Sequence, residues 1–191
     1  MSKILSEVLE ATQSTAPILA TRASWPCRPR GVSPFLLAWT RASIPQNLLA
    51  EGDAHVIRNA GGRASDDAIR SLVINYKLLG AQEFFVLHHT NCGMELFTNE
   101  VMRDLLSSSL ETAQLTSSSF RDVGKGPGDR SGEYIEWLTI KDQRQPVLGD
   151  VARIRNHPLV PKSIPVHGYF YDVAHGKPVG VEGARAVGAS A

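Results

Sequence analysis

Apolar residues in this chain follow two different spacings after its first quarter. Residues 83–89 are almost continuously apolar and predict a buried strand. Residues 65–79 instead repeat apolar side chains three or four positions apart, which predicts a helix that Ser65 caps and Gly80 ends. A shorter strand is predicted over 54–59. Strand, helix and strand with short links form a βαβ unit, so the sheet is expected to be parallel.

The same two spacings assign the rest of the chain. A second helix is predicted to begin at 98–100, and residues 107–132 are predicted to form an irregular surface loop. The glycines of this loop are not followed by the Lys-Ser/Thr of a phosphate-binding Walker loop. Residues 133–155 have helical spacing, which Pro146 is expected to kink or split. A last strand over 164–173 leads into a hairpin and a further short strand.

Length and composition predict one ordinary globular domain. The 191 residues suit a single domain over 1–191, and the small residues of 183–191 predict a loose tail. A hydrophobic content of 42% is typical of soluble proteins, and the net charge of +1 gives no reason to expect nucleic acid or an anionic membrane as partner. The sequence has no stretch near the roughly 20 apolar residues of a membrane span and no signal-peptide core, so we expect a cytoplasmic protein.

The most specific chemical signal follows strand 83–89. His89 and Cys92 are separated by two residues at a strand end, so an imidazole and a thiolate can reach one zinc ion at about 2.0–2.1 and 2.3 Å. Gly93 is expected to turn the backbone away. Such ends of parallel strands are where ligands bind. Alone the pattern is weak, since both residue types are common in cores. The other cysteine is Cys27, and two cysteines are too few for a disulfide framework.

Several motifs at consistent spacing give the chain a family resemblance over about residues 50–182. Together they resemble the β-class carbonic anhydrases, which include carbonyl sulfide and carbon disulfide hydrolases. The motifs are Gly52-Asp53-Ala54-His55-Val56-Ile57-Arg58-Asn59-Ala60-Gly61-Gly62, Asp67-Ala68-Ile69-Arg70-Ser71-Leu72, His88-His89-Thr90-Asn91-Cys92-Gly93-Met94 and the segment 164–173.

The resemblance implies an α/β fold, with a parallel sheet core flanked by helices and ending in a strand and hairpin. It also implies a homodimeric or larger zinc enzyme that hydrates carbon dioxide to bicarbonate. In the family a Cys, a His and a second Cys hold the metal, and His89 and Cys92 match the last two. The first ligand belongs to a Cys-x-Asp-x-Arg motif, which this sequence lacks. The catalytic Asp-Arg pair is therefore missing too, and Cys27 lies too far ahead of Gly52 to match comfortably.

The missing motif is compatible with a shifted reading frame. Residues 15–47 show neither helix nor strand periodicity. When each codon of 37–45 begins one base earlier, permitted wobble bases give Cys-Met-Asp-Ala-Arg-Ile-Asp-Pro. Residues 31–37 likewise permit Arg-Phe-Ala-Ile-Leu-Thr, a good strand. Our hypothesis is that two compensating frameshifts, in the gene or in its sequencing, replaced this segment.

Three functions are consistent with the sequence. The first is carbon dioxide hydration, impaired in the chain as written because two protein ligands make a poor zinc site. The second is hydrolysis of carbonyl sulfide or carbon disulfide, and the third is a non-catalytic domain of the same fold.

Other polar residues are expected to have less direct roles. His88 should lie on the opposite strand face from His89, which favours packing or support over metal binding. Structural or solvent-facing positions are expected for the other candidates, which are His55, His157 and His175, with Asp53 and Arg58 as minor catalytic candidates.

Overall fold

The computed structural model contains two compact units. The sheet unit comprises Met1–Thr90 and Gln143–Ala191, and the inserted unit comprises Asn91–Asp142. Within the described part of the chain, no helix is long and apolar enough to cross a bilayer. The residues that the structure describes are 35–38, as backbone only, and 54–117, 119–142 and 144–190.

The sheet unit is built on five strands, which are β1 Phe35–Ala38, β2 His55–Ile57, β3 Phe84–His89, β6 Val166–Asp172 and β7 Lys177–Gly180. Their order in the sheet is β2-β1-β3-β6-β7. All neighbouring pairs are parallel except β6 and β7, which form an antiparallel hairpin. This confirms the predicted α/β fold with a parallel core and a terminal hairpin.

Strand β1 lies inside the segment that was expected to lack regular structure. It pairs with β2 on one side and β3 on the other, with Ala38 opposite Leu87. That expectation was wrong for these four residues, because parallel pairing is made by backbone groups and the run Phe-Leu-Leu-Ala is apolar enough for a central strand. The rest of 15–47, including Cys27, lies outside the described residues.

Helix α1, Asp66–Leu79, forms as predicted. The Ser65 side chain accepts a hydrogen bond from the Ala68 N–H at 3.3 Å, and Gly80 ends the helix with φ 77°. Glycine adopts this left-handed conformation without steric cost. The buried face of the helix includes Ile69 and Leu72. Local capping and helical spacing are therefore sufficient to set both ends of α1.

Helix α3, Arg144–Asn156, corrects the expected effect of Pro146. Pro146 is the third residue of the helix, where backbone N–H groups have no intrahelical acceptor. The proline therefore costs no hydrogen bond there, and the helix begins beside it instead of being split. The preceding stretch also contains a short 3-10 helix, Ser131–Tyr134.

Gly168 of β6 lets α3 pack directly on the sheet. A Cβ atom at this position would lie 2.8 Å from Val147 Cγ1, 3.0 Å from Val151 Cγ2 and 2.8 Å from Ala184 Cβ. All three neighbours are buried. The close approach of helix and strand therefore depends on the absence of a side chain.

We expect Gly168→Ala to destabilise the protein by about 1–3 kcal/mol, since the added methyl overpacks a rigid core. Gly149→Ala is the matched control: it lies in α3, the helix that packs on Gly168, and apart from the nearby backbone of that helix no atom comes within 4 Å of its would-be Cβ. There the loss of glycine flexibility should stabilise by roughly 0.5–1 kcal/mol. Urea unfolding of both variants measures the difference. Equal stability of the two would contradict the packing argument.

The inserted unit contains helix α2, Asn99–Ser108, and a small hairpin of β4, Gln114–Leu115, with β5, Phe120–Arg121. The prediction of an entirely irregular loop over 107–132 is corrected by this hairpin. An edge-to-face contact between Phe97 and Phe120, with centroids 5.9 Å apart, helps to hold it.

The glycine-rich part of this unit closes the end of α2. The Asp129 N–H donates to the Leu106 carbonyl at 2.8 Å, and a Cβ at Gly128 would lie 2.0 Å from the Ser107 carbonyl oxygen. Gly128 thus serves the close approach of this segment to the end of α2.

The C-terminal segment is more ordered than expected. Residues Ala184–Val187 form a short helix, α4, and Ala184 is buried. The Gly188 carbonyl accepts a hydrogen bond from the Val166 N–H at 2.9 Å. The prediction of a loose tail from residue 183 is corrected accordingly: small residues are used here because they fit close to β6.

Candidate metal centre

His89 is the last residue of β3, and its ring orientation is set by a local hydrogen bond. Its Nδ1 lies 2.9 Å from the Thr90 carbonyl oxygen. A carbonyl oxygen can only accept, so Nδ1 carries the proton and the neutral ring has its lone pair on Nε2. This is the tautomer that a metal-binding histidine needs when it binds through Nε2.

Thr90 fixes the end of the strand on which His89 lies. Its N–H donates to the Tyr171 carbonyl at 3.0 Å, and its hydroxyl accepts from the Val173 N–H at 3.0 Å. Both partners lie at the end of β6, the neighbouring strand. The acceptor of the His89 ring is therefore held by two hydrogen bonds of its own.

Cys92 begins the short 3-10 helix Gly93–Glu95 in the inserted unit. It is 2% exposed and forms no disulfide. Burial raises the pKa of its thiol, a backbone hydrogen bond involving Met94 lowers it, and the Glu95 charge raises it; the net pKa is above the ordinary value. Since thiolate is the metal ligand, metal binding here has to release a proton.

The turn between the two residues does not use Gly93 as predicted. Asn91 adopts the left-handed conformation, with φ 57°, whereas Gly93 has no positive φ. Asparagine tolerates this region better than most residues, so the turn needs no glycine. The expectation for Gly93 is corrected.

The donors present fit zinc in kind but not in number. An imidazole with its lone pair on Nε2 and a buried thiol are typical zinc ligands. Among the residues that the structure describes, however, no three His, Cys, Asp or Glu side chains are grouped to hold a metal. The described residues therefore do not by themselves complete a zinc site in the chain as written.

His88 lies in a buried ion cluster that sequence reasoning did not find. Its Nε2 donates to Asp150 Oδ2 at 3.1 Å, and the same carboxylate accepts from Arg63 Nε at 2.7 Å and Nη2 at 3.2 Å. The side chains of His88 and Asp150 are 0% and 3% exposed. The predicted packing or support role of His88 agrees with this position. Arg63 and Asp150 are 87 positions apart, and no local pattern marks them as partners.

A second buried pair joins β6 to the start of β3. His167 Nε2 lies 3.2 Å from Glu83 Oε2, and the His167 ring packs on Phe85 with centroids 4.7 Å apart. Burial lowers the pKa of His167, and the opposing effect of the Glu83 carboxylate does not outweigh it.

The remaining candidates lie apart from this chemistry. His55 lies in strand β2, as predicted, and is exposed there at the edge of the sheet. His175 is exposed as predicted and bonds to Asp172, whereas His157 is half-buried and accepts from the Leu159 N–H at 3.3 Å. Arg58 is exposed, and Asp53 lies outside the described residues.

Comparison with known proteins identifies the family. The chain is 36% identical over 131 residues to β-carbonic anhydrase 1 of Mycobacterium tuberculosis, covering 68% of each chain. It is 35% identical over 139 residues to a carbon disulfide hydrolase of Acidianus sp., covering 70% of this chain and 68% of that relative. The chain belongs to the β-class carbonic anhydrase family. No family model matches it.

Solved structures of β-carbonic anhydrases and their relatives share the fold. A carbonic anhydrase from Streptococcus mutans superimposes with a TM-score of 0.65 and 32% identity, covering 95% of this chain and 99% of that one. The apo form of a carbon disulfide hydrolase gives a TM-score of 0.61 at 30% identity, covering 82% and 81%. The predicted fold class and family are both confirmed.

Proposed function

We propose that this β-carbonic anhydrase is organised for the zinc-dependent, reversible hydration of carbon dioxide to bicarbonate. The observation that carries the proposal is the His89 ring at the carboxyl end of β3, with Nδ1 donating to the Thr90 carbonyl and the lone pair on Nε2. Cys92 follows two residues later as a buried thiol. The similarity to relatives named as carbonic anhydrases, at 36% identity, supports this reaction.

His89 and Cys92 would hold the zinc ion. Zinc with one open position lowers the pKa of a bound water towards about 7 and so supplies a nucleophile at neutral pH. His89 contributes a neutral imidazole whose orientation is fixed in advance, and Cys92 contributes a thiolate once its proton has left. The Cys-x-Asp-x-Arg motif is absent from the sequence. We therefore propose that the chain as written binds zinc poorly and turns over slowly.

The zinc content of the unmodified chain and of three variants tests whether His89 and Cys92 are ligands. We expect His89→Gln and Cys92→Ser to lose the residual zinc that the unmodified chain retains after dialysis, because each removes one of two donors. His175→Gln is the control, since this histidine is exposed and bonds to Asp172. Elemental analysis at a fixed free zinc concentration gives the answer. Equal zinc in all four proteins would refute the assignment of His89 and Cys92.

Hydrolysis of carbon disulfide or carbonyl sulfide is the second candidate. It is favoured by the similarity to carbon disulfide hydrolases, which reaches 35% identity. Assay of a chain with a restored first-ligand motif on carbon dioxide and on carbon disulfide separates the two. Faster turnover of carbon disulfide would replace the first proposal with the second.

A non-catalytic domain of the same fold is the third candidate, and it predicts an intact reading frame. The coding DNA decides: if the codons of residues 37–43 cannot yield Cys-Met-Asp-Ala-Arg in a shifted frame, the frameshift hypothesis fails. We also propose a homodimer, on family grounds, which light scattering of the purified chain tests, and a cytoplasmic location, which fractionation of the source cells tests.

A further inference from the structure

We propose that Asp150 is a positioning residue for His89, acting through His88 from the opposite face of β3. The inference concerns how the proposed metal ligand His89 is held in place, and its functional meaning rests on the proposed function. The geometry itself lies wholly within the sheet unit and involves β3, α3 and the segment after β2. These three elements meet at one buried carboxylate.

His88 is tied to α3 by a hydrogen bond in a dry environment. Its Nε2 to Asp150 Oδ2 distance is 3.1 Å, and both side chains are at least 97% buried. A carboxylate only accepts, so His88 Nε2 carries a proton. Hydrogen bonds to charged groups are roughly twice as strong as neutral ones, particularly where water is excluded. The bond therefore restrains the ring and the backbone of His88.

Arg63 holds Asp150 in turn. Its Nε and Nη2 atoms contact the two carboxylate oxygens at 2.7 and 3.2 Å, a two-point contact that fixes the plane of the carboxylate. Arg63 directly follows the short 3-10 helix Ala60–Gly62 and is 12% exposed at its side chain. Asp150 is thus restrained before it meets His88, so it can act as an anchor instead of a mobile acceptor.

His89 lies between two restrained residues as a result. On one side is His88, bonded to Asp150, and on the other is Thr90, bonded through its N–H and hydroxyl to the end of β6. Successive side chains of a strand point to opposite faces, so the two sets of bonds restrain the peptide units on both sides of His89. The hydrogen bond from His89 Nδ1 to the Thr90 carbonyl is then fixed in length and direction by its restrained neighbours.

The test compares Asp150→Asn with two controls. Val151→Ala truncates the next residue of α3, which is 0% exposed and belongs to the hydrophobic core, so it destabilises the same helix while keeping both groups of the His88–Asp150 hydrogen bond. Asp66→Asn removes a carboxylate of the same kind from an exposed pair with Arg153. His88→Phe removes the same hydrogen bond from the histidine side, and it provides the test if Asp150→Asn does not fold.

The primary readout is the His89 tautomer in the metal-free full chain, measured by proton–nitrogen NMR of the ring. We expect the Nδ1–H form to predominate in the wild type and both controls, and a mixture of tautomers in Asp150→Asn and His88→Phe. An unchanged tautomer in Asp150→Asn, or the same change in Val151→Ala, would overturn the proposal.

A second readout is the affinity for Co²⁺, followed by the thiolate-to-cobalt absorption band. Loss of an outer partner of a ligand typically weakens metal binding about 10–100-fold, and we expect a loss in that range for Asp150→Asn and His88→Phe but not for the two controls. Because the chain as written is proposed to bind metal weakly, Co²⁺ is titrated to a large excess. If the wild type then gives no such band while the tautomer result holds, the zinc proposal fails and the anchoring of His89 by Asp150 stands.

Discussion

Restoring the first-ligand motif should raise the zinc content from well below one to one ion per chain. In the shifted frame each new codon aligns with one existing position, so the change keeps the chain length. The restored variant carries Ala38→Cys, Trp39→Met, Thr40→Asp, Arg41→Ala, Ala42→Arg, Ser43→Ile and Ile44→Asp.

The expected gain is large because a third protein ligand completes the set that His89 and Cys92 begin. Loss of an outer-shell partner alone costs about 10–100-fold in affinity, and loss of a direct ligand should cost more. The new cysteine would stand at the last residue of β1, whose backbone pairs with β3 so that position 38 lies opposite Leu87. Zinc content by elemental analysis and carbon dioxide hydration by stopped flow measure the two consequences.

Two partial variants separate metal binding from turnover. Ala38→Cys alone should restore zinc but leave hydration slow, because the Asp-Arg pair is still missing. Thr40→Asp with Ala42→Arg, without the cysteine, should restore neither. Full zinc occupancy in the unmodified chain would contradict the prediction, as would a restored variant that binds no more zinc than the unmodified one.

The second large effect concerns the buried ion cluster: Arg63→Met should destabilise the protein by about 3–5 kcal/mol at neutral pH. That is the usual cost of removing one partner of a buried pair, because the remaining charge is left in a dry site. The carboxylate in question, Asp150, has a side chain only 3% exposed. Arg153→Met is the control, since its partner Asp66 is 95% exposed and such surface pairs contribute about 1 kcal/mol or less.

The cost of Arg63→Met should depend on pH in a defined direction. Burial raises the pKa of Asp150, but hydrogen bonds from His88 and Arg63, with the Arg63 charge, outweigh burial and hold that pKa below its ordinary value. The unfolded carboxyl titrates near about 3.9. The stabilisation is therefore present above that pH and is lost as the pH falls through the folded pKa.

Urea unfolding at neutral and acid pH tests this. The difference in unfolding free energy between wild type and Arg63→Met should begin to shrink as the pH falls below about 4, and it should be lost as the pH passes through the lowered folded pKa of Asp150, below which this carboxyl is neutral in both proteins. A difference that is small at neutral pH, or that grows in acid, would show that the Arg63–Asp150 pair does not stabilise the fold.

Sequence reasoning succeeded where the determining interactions are local. Helix α1 was predictable because Ser65 and Gly80 act on their own turns, and β3 because a continuous apolar run suits a strand buried on both faces. Pro146 was misjudged because its effect depends on its place in the helix, and the proline lies in the first turn. The start of α3 at Arg144 could not be read from the helical spacing of 133–155 alone.

The candidate site was predictable only in part for the same reason. His89 and Cys92 are close in sequence, so their spacing carries the signal. Asp150 and Arg63 are far apart, and each on its own resembles an ordinary surface charge. Only the tertiary packing of α3 on β3 brings them to His88. Long-range ion pairs of this kind have no periodicity that a single sequence could display.

The adjacent histidines of β3 leave the register of this strand against β6 ambiguous. A shift of β3 by one residue against β6 would move every side chain to the other face, yet an imidazole would still stand on each face at this level. The histidines themselves therefore cannot select the register. The selection falls to the hydrogen bonds of Thr90, because after such a shift its N–H and hydroxyl would no longer face the Tyr171 carbonyl and the Val173 N–H at the end of β6.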